Sequence, residues 1–299
     1  MDNLQTQRIF TMPPRAKVAG ASLFVFSIDP IWGNIYFWLG KERKNLRWPQ
    51  GSETWSDFGG RPIDEDEDPP HIAAREFLEE TCAMLRYFEH DSIPRQGMED
   101  IAESLRNHQY LFCITMWTEN MQGEKRMFVT YVKQVPWSPD AYNSFQEAHQ
   151  YLHKLRSQAS AQTLRGVREV CSVFPHPSIV KTRRSNEETA SYRDDEDDVT
   201  INTDYLEKKS IRMWSIPQLR TAIELQLLRE EREKERKHRS MGFLGAPVGA
   251  VPENDHMVKS LAVRSERFRS CFISMATVIL KELPFYEPLT DEKNKLCRV

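Results

Sequence analysis

Long apolar runs are missing from this chain. The longest near its start, Val18 to Phe26, is far short of the roughly 20 residues that span a bilayer, and the alternating residues after it read as strand rather than a cleavage region. Cysteine is scarce too: five residues, at 82, 113, 171, 271 and 297, form neither a CxxC pair nor any zinc-ribbon spacing, which fits a reducing compartment. An excess of either charge is lacking as well, since a net charge of -3 gives no global bias toward nucleic acid. Phosphate-loop (GxxxxGK[ST]), dinucleotide-turn (GxGxxG) and HExxH signatures are all absent, which argues against kinases, dinucleotide dehydrogenases and zinc peptidases. The expectation is a soluble cytoplasmic protein with no membrane partner.

What the chain does have is enough apolar residues, 39% of the total beside 28% charged, to bury one sizeable core and a smaller satellite. Lys17 to Ser27 and Asn34 to Leu39 are β-branched and aromatic, and Asp29, Pro30 and Gly33 separate them as a turn. Thr54 to Gly60 reads as a short strand ending in two glycines, after which Pro69 and Pro70 open a helix. Tyr110 to Trp117 and Arg126 to Val132 read as a hairpin around Gly123, and residues 138 to 156 as helix. Lys208 to Trp214 reads as a returning strand. Ile216-Pro217 then opens a long helix reaching Arg239, and Val258 to Leu283 reads as a last amphipathic helix needing a surface to cover.

The helix after Pro70 carries the chemistry. At 100° per residue, Glu76, Glu79 and Glu80 share one face, while Ala74, Phe77, Leu78, Thr81 and Leu85 form a stripe opposite. Like charges at this spacing repel, so a cation belongs beside them. Mg²⁺ or Mn²⁺ suits carboxylate oxygens and leaves coordination positions for water and phosphate.

The stretch from Gly60 through Glu67 to Arg75-Glu76-Phe77-Leu78-Glu79-Glu80-Thr81-Cys82-Ala83 resembles the Nudix box, with Glu67, Arg75, Glu76, Glu79 and Glu80 in its register. Two positions depart from the pattern. Six residues rather than five separate Gly60 from Glu67, and Cys82 stands where the family has glycine, so the helix is expected to run on through Met84 or Leu85. The resemblance implies an α/β/α sandwich with a mixed sheet and a metal-dependent pyrophosphohydrolase. It further implies that Glu76, Glu79 and Glu80, with the Gly60 carbonyl, bind metal, and that Arg75 pairs with Glu67 to orient them. A carboxylate outside the box would complete the catalytic set; Glu207 is the candidate and Glu147 the next.

Trp38 reads as core, and Trp48, in a polar loop near the box, as the candidate that stacks on substrate. His149 and His153 lack a third ligand and read as an exposed pair rather than a zinc site. Lys154 to Arg184 is rich in Lys and Arg; it reads as a solvated insertion balanced by Asp194 to Asp198, with a grip on RNA or inositol phosphate as the other reading. The expected organisation is a tail at 1–16, a Nudix unit at 17–225 with an insertion at about 135–206, and a helical extension at 226–299. The expected substrate is a nucleoside diphosphate derivative. Capped RNA is a candidate, because Trp55-Ser56-Asp57-Phe58-Gly59-Gly60 resembles Nudix proteins of large eukaryotic DNA viruses. Sugar nucleotides, oxidised nucleotides and diphosphoinositol polyphosphates are alternatives. A non-catalytic Nudix-like module binding RNA or protein is the rival class, and the oligomeric state stays open.

Overall fold

A computed structural model describes residues 4–7, 17–46, 49, 51–88, 97–119, 123–158, 180–182, 199–201, 203–242 and 266–283. Trp48, the acidic run at 194–198 and most of the basic segment lie outside these residues.

The strands are β1 (Leu4–Gln7), β2 (Lys17–Ile28), β3 (Ile35–Glu42), β4 (Trp55–Ser56), β5 (Phe58–Gly60), β6 (Phe112–Glu119), β7 (Lys125–Gln134), β8 (Val180–Thr182), β9 (Val199–Ile201) and β10 (Lys208–Ser215). The helices are α1 (Pro69–Glu80), α2 (Met98–Arg106), α3 (Ala141–Gln158), α4 (Ile216–Gly242) and α5 (Ser270–Glu282). The main sheet runs β1-β6-β7-β2-β3-β10, and β8 and β9 form a separate pair. Among the described strands of the main sheet, β2 and β7 pair in parallel and the others antiparallel.

β2 explains the layering. Ala21, Leu23 and Val25 enter one apolar cluster, with residues of α1, α2 and α3, while Phe24 and Phe26 enter a second, with residues of α4 and α5. Both faces of the strand are covered, which is why its sequence is a continuous apolar run rather than an alternation. The expected α/β sandwich with a mixed sheet is the observed architecture.

The β2–β3 hairpin pairs only near its turn, at Phe26 to Ile28 against Ile35 to Phe37, and then splays. The gap is filled by the following segment: β4 pairs with Gly40 and Lys41 of β3, and β5 with Ala21 to Leu23 of β2. Gly59 and Gly60 are thereby held by backbone bonds over α1.

α1 starts where its capping residues dictate. Asp68 accepts a 2.9 Å bond from the His71 N–H, and Pro69 and Pro70 occupy positions that need no donor. Ala74, Phe77, Leu78, Thr81 and Leu85, the stripe read from the sequence, are all fully buried. Fully burying an apolar side chain of Leu or Phe size contributes about 1.5–3 kcal/mol, so this face fixes the helix on the sheet.

Four features differ from the sequence reading. α1 ends at Glu80 and does not continue to Met84, because Cys82 and Ala83 take φ of 52° and 54°. The left-handed turn is made without glycine; the buried Cys82 thiol donates to the Tyr205 carbonyl at 3.4 Å, a contact glycine lacks. α2 occupies a stretch to which no element was assigned, and β1 lies within the expected tail. His149 is not exposed: it is 8% accessible, stacked on Phe145 and 4.7 Å from the His153 ring. No helix among the described residues is long and apolar enough to cross a membrane.

Two outcomes follow from this geometry. Ala83→Gly removes a left-handed strain of roughly 1–2 kcal/mol and should stabilise the fold by about 1 kcal/mol in urea denaturation. Burial lowers the His149 pKa to about 4, with the charges of His153 and Arg43 acting the same way. Between the ordinary 6.5 and about 4 the unfolded chain therefore binds a proton that the folded chain refuses, and stability falls as pH falls through that window. Replacing His149 with Phe should flatten that part of the stability–pH curve, and an unchanged slope would contradict the assignment.

Candidate active site

The acids of α1 meet the glycines of β5. A Cβ on Gly60 would lie 2.1 Å from Glu76 Oε1, so only glycine admits the carboxylate there. The Gly60 carbonyl oxygen is turned toward Gly20, 2.2 Å from where a Cβ would stand on that residue. The Gly59 N–H donates to Glu80 Oε2 at 2.8 Å, so the second glycine binds the same helix through its backbone. Glu79 and Glu80 are 4% and 2% accessible. Carboxylates this far from water must be met by cations or donors.

Arg75 meets the outer ones. Its Nε donates to Glu67 Oε1 at 2.9 Å, and its Nη1 donates to Glu76 Oε1 at 2.8 Å and to Glu79 Oε2 at 3.1 Å. Its Nη2 donates to the Arg61 carbonyl at 2.8 Å. Glu67 also accepts the Ile63 N–H at 2.7 Å, so the loop after Gly60 is tied down at both Ile63 and Arg61. Burial works against the Arg75 charge, but Glu67, Glu76 and Glu79 outweigh it and hold the guanidinium firmly protonated.

Lys208 meets the inner ones. Its side chain is completely buried, and its Nζ lies 3.0 Å from Glu80 Oε1 while donating to Glu42 Oε1, to Ser56 Oγ at 2.8 Å and to the Asp57 carbonyl at 3.2 Å. Arg269 Nη2 reaches Glu42 Oε1 at 2.6 Å from the start of α5. Burial pulls the Lys208 pKa down, yet Glu42 and Glu80 reverse the direction and keep the ammonium charged. Burial pushes the Glu80 carboxyl well above the usual range; Lys208 opposes this, and Glu42 and Glu76 add to it. Asp57, on β4's continuation, is likewise pushed up by burial, against a Ser22 hydrogen bond and the charges of Lys208 and Arg269.

The structure thus brings Gly60, Glu67, Arg75, Glu76, Glu79 and Glu80 to one place. Glu207 is exposed and lies one residue ahead of Lys208, the side chain of β10 that enters the cluster. Glu147 is exposed on α3. Among the described residues, no three His, Cys, Asp or Glu side chains stand in the arrangement of a metal site. Arg75 Nη1 bridges Glu76 and Glu79, while the Glu80 oxygens face the Gly59 N–H and Lys208.

Lys208, Glu42, Ser56 and Arg269 were not legible as site residues. A register shift between Lys208 and Ser210 breaks the two-residue alternation that would have turned Lys208 inward. Glu42 closes an apolar strand where a solvent-facing end is the ordinary expectation. Arg269 is remote in sequence from the rest.

No family model matches the chain, and no curated protein matches it. Among solved structures, it is similar to the Nudix hydrolase RenU of M. smegmatis, with 16% identity and a TM-score of 0.27 over 41% of this chain and 64% of that one. It is also similar to the C. elegans Ap4A hydrolase, solved as a binary complex, with 20% identity and a TM-score of 0.24 over 41% of this chain and 69% of that one. The match spans less than two thirds of the M. smegmatis protein.

Removing one partner from a buried ion cluster leaves the others uncompensated. Lys208→Met should lower stability by about 3–5 kcal/mol in urea denaturation, and adding Glu42→Gln in the same chain should recover part of the loss. A loss below about 1 kcal/mol, the size of a surface pair, would contradict this account.

Proposed function

We propose that the chain is a metal-dependent hydrolase that cleaves a pyrophosphate linkage in a nucleoside diphosphate derivative. The observation that carries this reading is the gathering of acids on one face of α1 beside Gly60. Glu67, Glu76 and Glu79 gather around the Arg75 guanidinium, with the buried Glu80 on the same helix face, and such a concentration of carboxylate oxygens favours a divalent ion. The spacing of these residues, which resembles the Nudix box, supports the same reading.

The donor set fits Mg²⁺ or Mn²⁺, being hard carboxylate oxygens on one helical face. Glu76, Glu79 and Glu80 would hold the ion, whereas the Gly60 carbonyl, expected from the resemblance as a further donor, is turned toward Gly20. Such an ion neutralises phosphate charge and acidifies a water for attack on phosphorus. The protein's own contribution is orientation. Arg75 has two anchors outside the acid face, Glu67 and the Arg61 carbonyl, so it can release Glu76 and Glu79 to an ion without losing its place. Glu80 is held by the Gly59 N–H and Lys208, so its carboxylate does not swing. Glu207 is the proposed base that takes a proton from the attacking water, and Trp48 the proposed stacking surface for a base.

For the substrate, capped RNA is the preferred candidate. The Trp55 to Gly60 segment and the basic stretch after Lys154 support it, the latter as a grip on the RNA backbone. Sugar nucleotides, oxidised nucleotides and diphosphoinositol polyphosphates are the alternatives.

Incubation with Mg²⁺ or Mn²⁺ and a panel of capped RNA, Ap4A, ADP-ribose, oxidised deoxynucleotides and inositol pyrophosphates should release phosphorylated product from at least one. Glu76→Gln and Glu79→Gln, which keep side-chain size, should each lower turnover at least about 100-fold, or about 2.7 kcal/mol of barrier. Folded variants with parental turnover would refute the assignment, and salt-dependent RNA binding without product would favour a binding module.

A further inference from the structure

The C-terminal segment is not a separate appendage to the acid cluster. Residues 266–269 lie along β4: the Trp55 N–H donates to the Arg267 carbonyl at 2.7 Å, and the Arg269 N–H returns to the Trp55 carbonyl at 3.2 Å. Gln226 of α4 clamps the Phe268 backbone from the other side, accepting its N–H at 2.6 Å and donating to its carbonyl at 3.0 Å. Glu266 accepts from Lys41 Nζ at 2.7 Å and from Trp55 Nε1 at 2.5 Å. α5 then buries Phe272, Ile273, Met275, Ala276, Ile279 and Leu280 in the second apolar cluster. Arg269, at the helix start, is therefore placed by backbone bonds, side-chain clamps and core packing together.

Its guanidinium is paired with Glu42 at 2.6 Å, and its charge also reaches Glu80 and Asp57. Glu42 Oε1 is shared by Arg269, Lys208 and Ser56. This sharing has an electrostatic consequence. Were Glu42 neutralised by Lys208 alone, the single ammonium would be divided between two buried carboxylates. With Arg269 present, two cations face Glu42 and Glu80, and Lys208 can stay on Glu80 Oε1. Glu80 then has a fixed partner on each oxygen, Lys208 on one and Gly59 on the other.

We infer that Arg269 is a positioning residue of the active site: acting through Glu42 and Lys208, it fixes the Glu80 carboxylate beside Glu76, so that the C-terminal segment is required for metal binding and turnover. This rests on the hydrolase reading for its functional consequence, while the charge chain itself is independent of that reading.

The test uses the full chain and three variants: Arg269→Met, Arg269→Lys and the double variant Arg269→Met/Glu42→Gln. Mn²⁺ affinity is read from the signal of free Mn²⁺ in electron paramagnetic resonance, alongside kcat, KM and thermal unfolding. Arg269→Met should weaken Mn²⁺ binding and lower kcat by about 10-fold or more, the scale seen when residues supporting metal ligands are removed, with KM little changed. Arg269→Lys, which keeps the charge, should recover most of both. Glu42→Gln leaves Lys208 to Glu80 alone, so the double variant Arg269→Met/Glu42→Gln should recover most of the loss, and a double variant as impaired as Arg269→Met overturns the inference; if Arg269→Met does not fold, the double variant and Arg269→Lys carry the comparison. A purely structural role would lower the unfolding temperature and leave Mn²⁺ affinity and kcat of the folded protein at parental values, and that result overturns the inference while leaving the hydrolase reading intact.

If the parent neither binds Mn²⁺ nor cleaves the panel, the hydrolase reading fails, and the charge chain is judged by a double-mutant cycle in urea between Arg269→Met and Glu80→Gln. A coupling of about fivefold or more in the unfolding constant supports the chain; effects that multiply independently to within about twofold overturn it.

Discussion

A carboxylate withdrawn from water keeps its charge only where cations or N–H groups are brought to it, and this chain withdraws several in one place. Glu42, Glu67, Glu76, Glu79 and Glu80 occupy the seam where α1 crosses the splayed β2–β3 hairpin; Arg75 meets them from α1 itself, and Lys208 and Arg269 are delivered from distant parts of the sequence. Much of the fold can be read as the means of that delivery. The wedge of β4 and β5 brings Gly59 within reach of Glu80, β10 brings Lys208 beneath the helix, and α5 brings Arg269 across the far face of the sheet. The compensation is divided. The inner acids Glu42, Glu80 and Asp57 lie in the field of Lys208 and Arg269, whereas Glu67, Glu76 and Glu79 gather around the Arg75 guanidinium.

The sequence was most informative where a single element decides the outcome. α1 has its own start signal in Asp68 and two prolines, its own apolar stripe and its own acidic face, and each can be derived from residues close together. The long strands β2, β3, β6 and β7 are likewise declared by apolar and β-branched residues. The sequence was least informative where tertiary packing overrides a local preference. Cys82 and Ala83 have no intrinsic reason to adopt left-handed backbone, and the burial of the Cys82 thiol against Tyr205 explains why the turn falls there rather than a turn later. α2 is short and lies in a polar stretch, with only Ile101, Ala102 and Leu105 marking its buried side.

Side-chain partnerships across the sheet were beyond the reach of spacing arguments. Lys208 stands next to Glu207, and the carboxylate was the natural candidate for a site built on acids; the bulge at the start of β10 decides which of the two neighbours is buried. Glu42 and Arg269 have no local motif at all. Their meaning comes from the meeting of β3 with the start of α5, a contact between residues at opposite ends of the chain. His149 was misjudged for a related reason: its burial depends on α3 packing against β10, not on the sequence around it.

The order in which these residues leave the ribosome follows from that distribution. At a synthesis rate of roughly 5–20 residues per second, the acids of α1 are made about 10–40 s before Arg269. During that interval the nascent polypeptide already carries the acids of α1 but lacks first Lys208 and then Arg269, the charges that accompany their burial. Closure of the acidic seam therefore waits for Arg269, long after the acids themselves have been made.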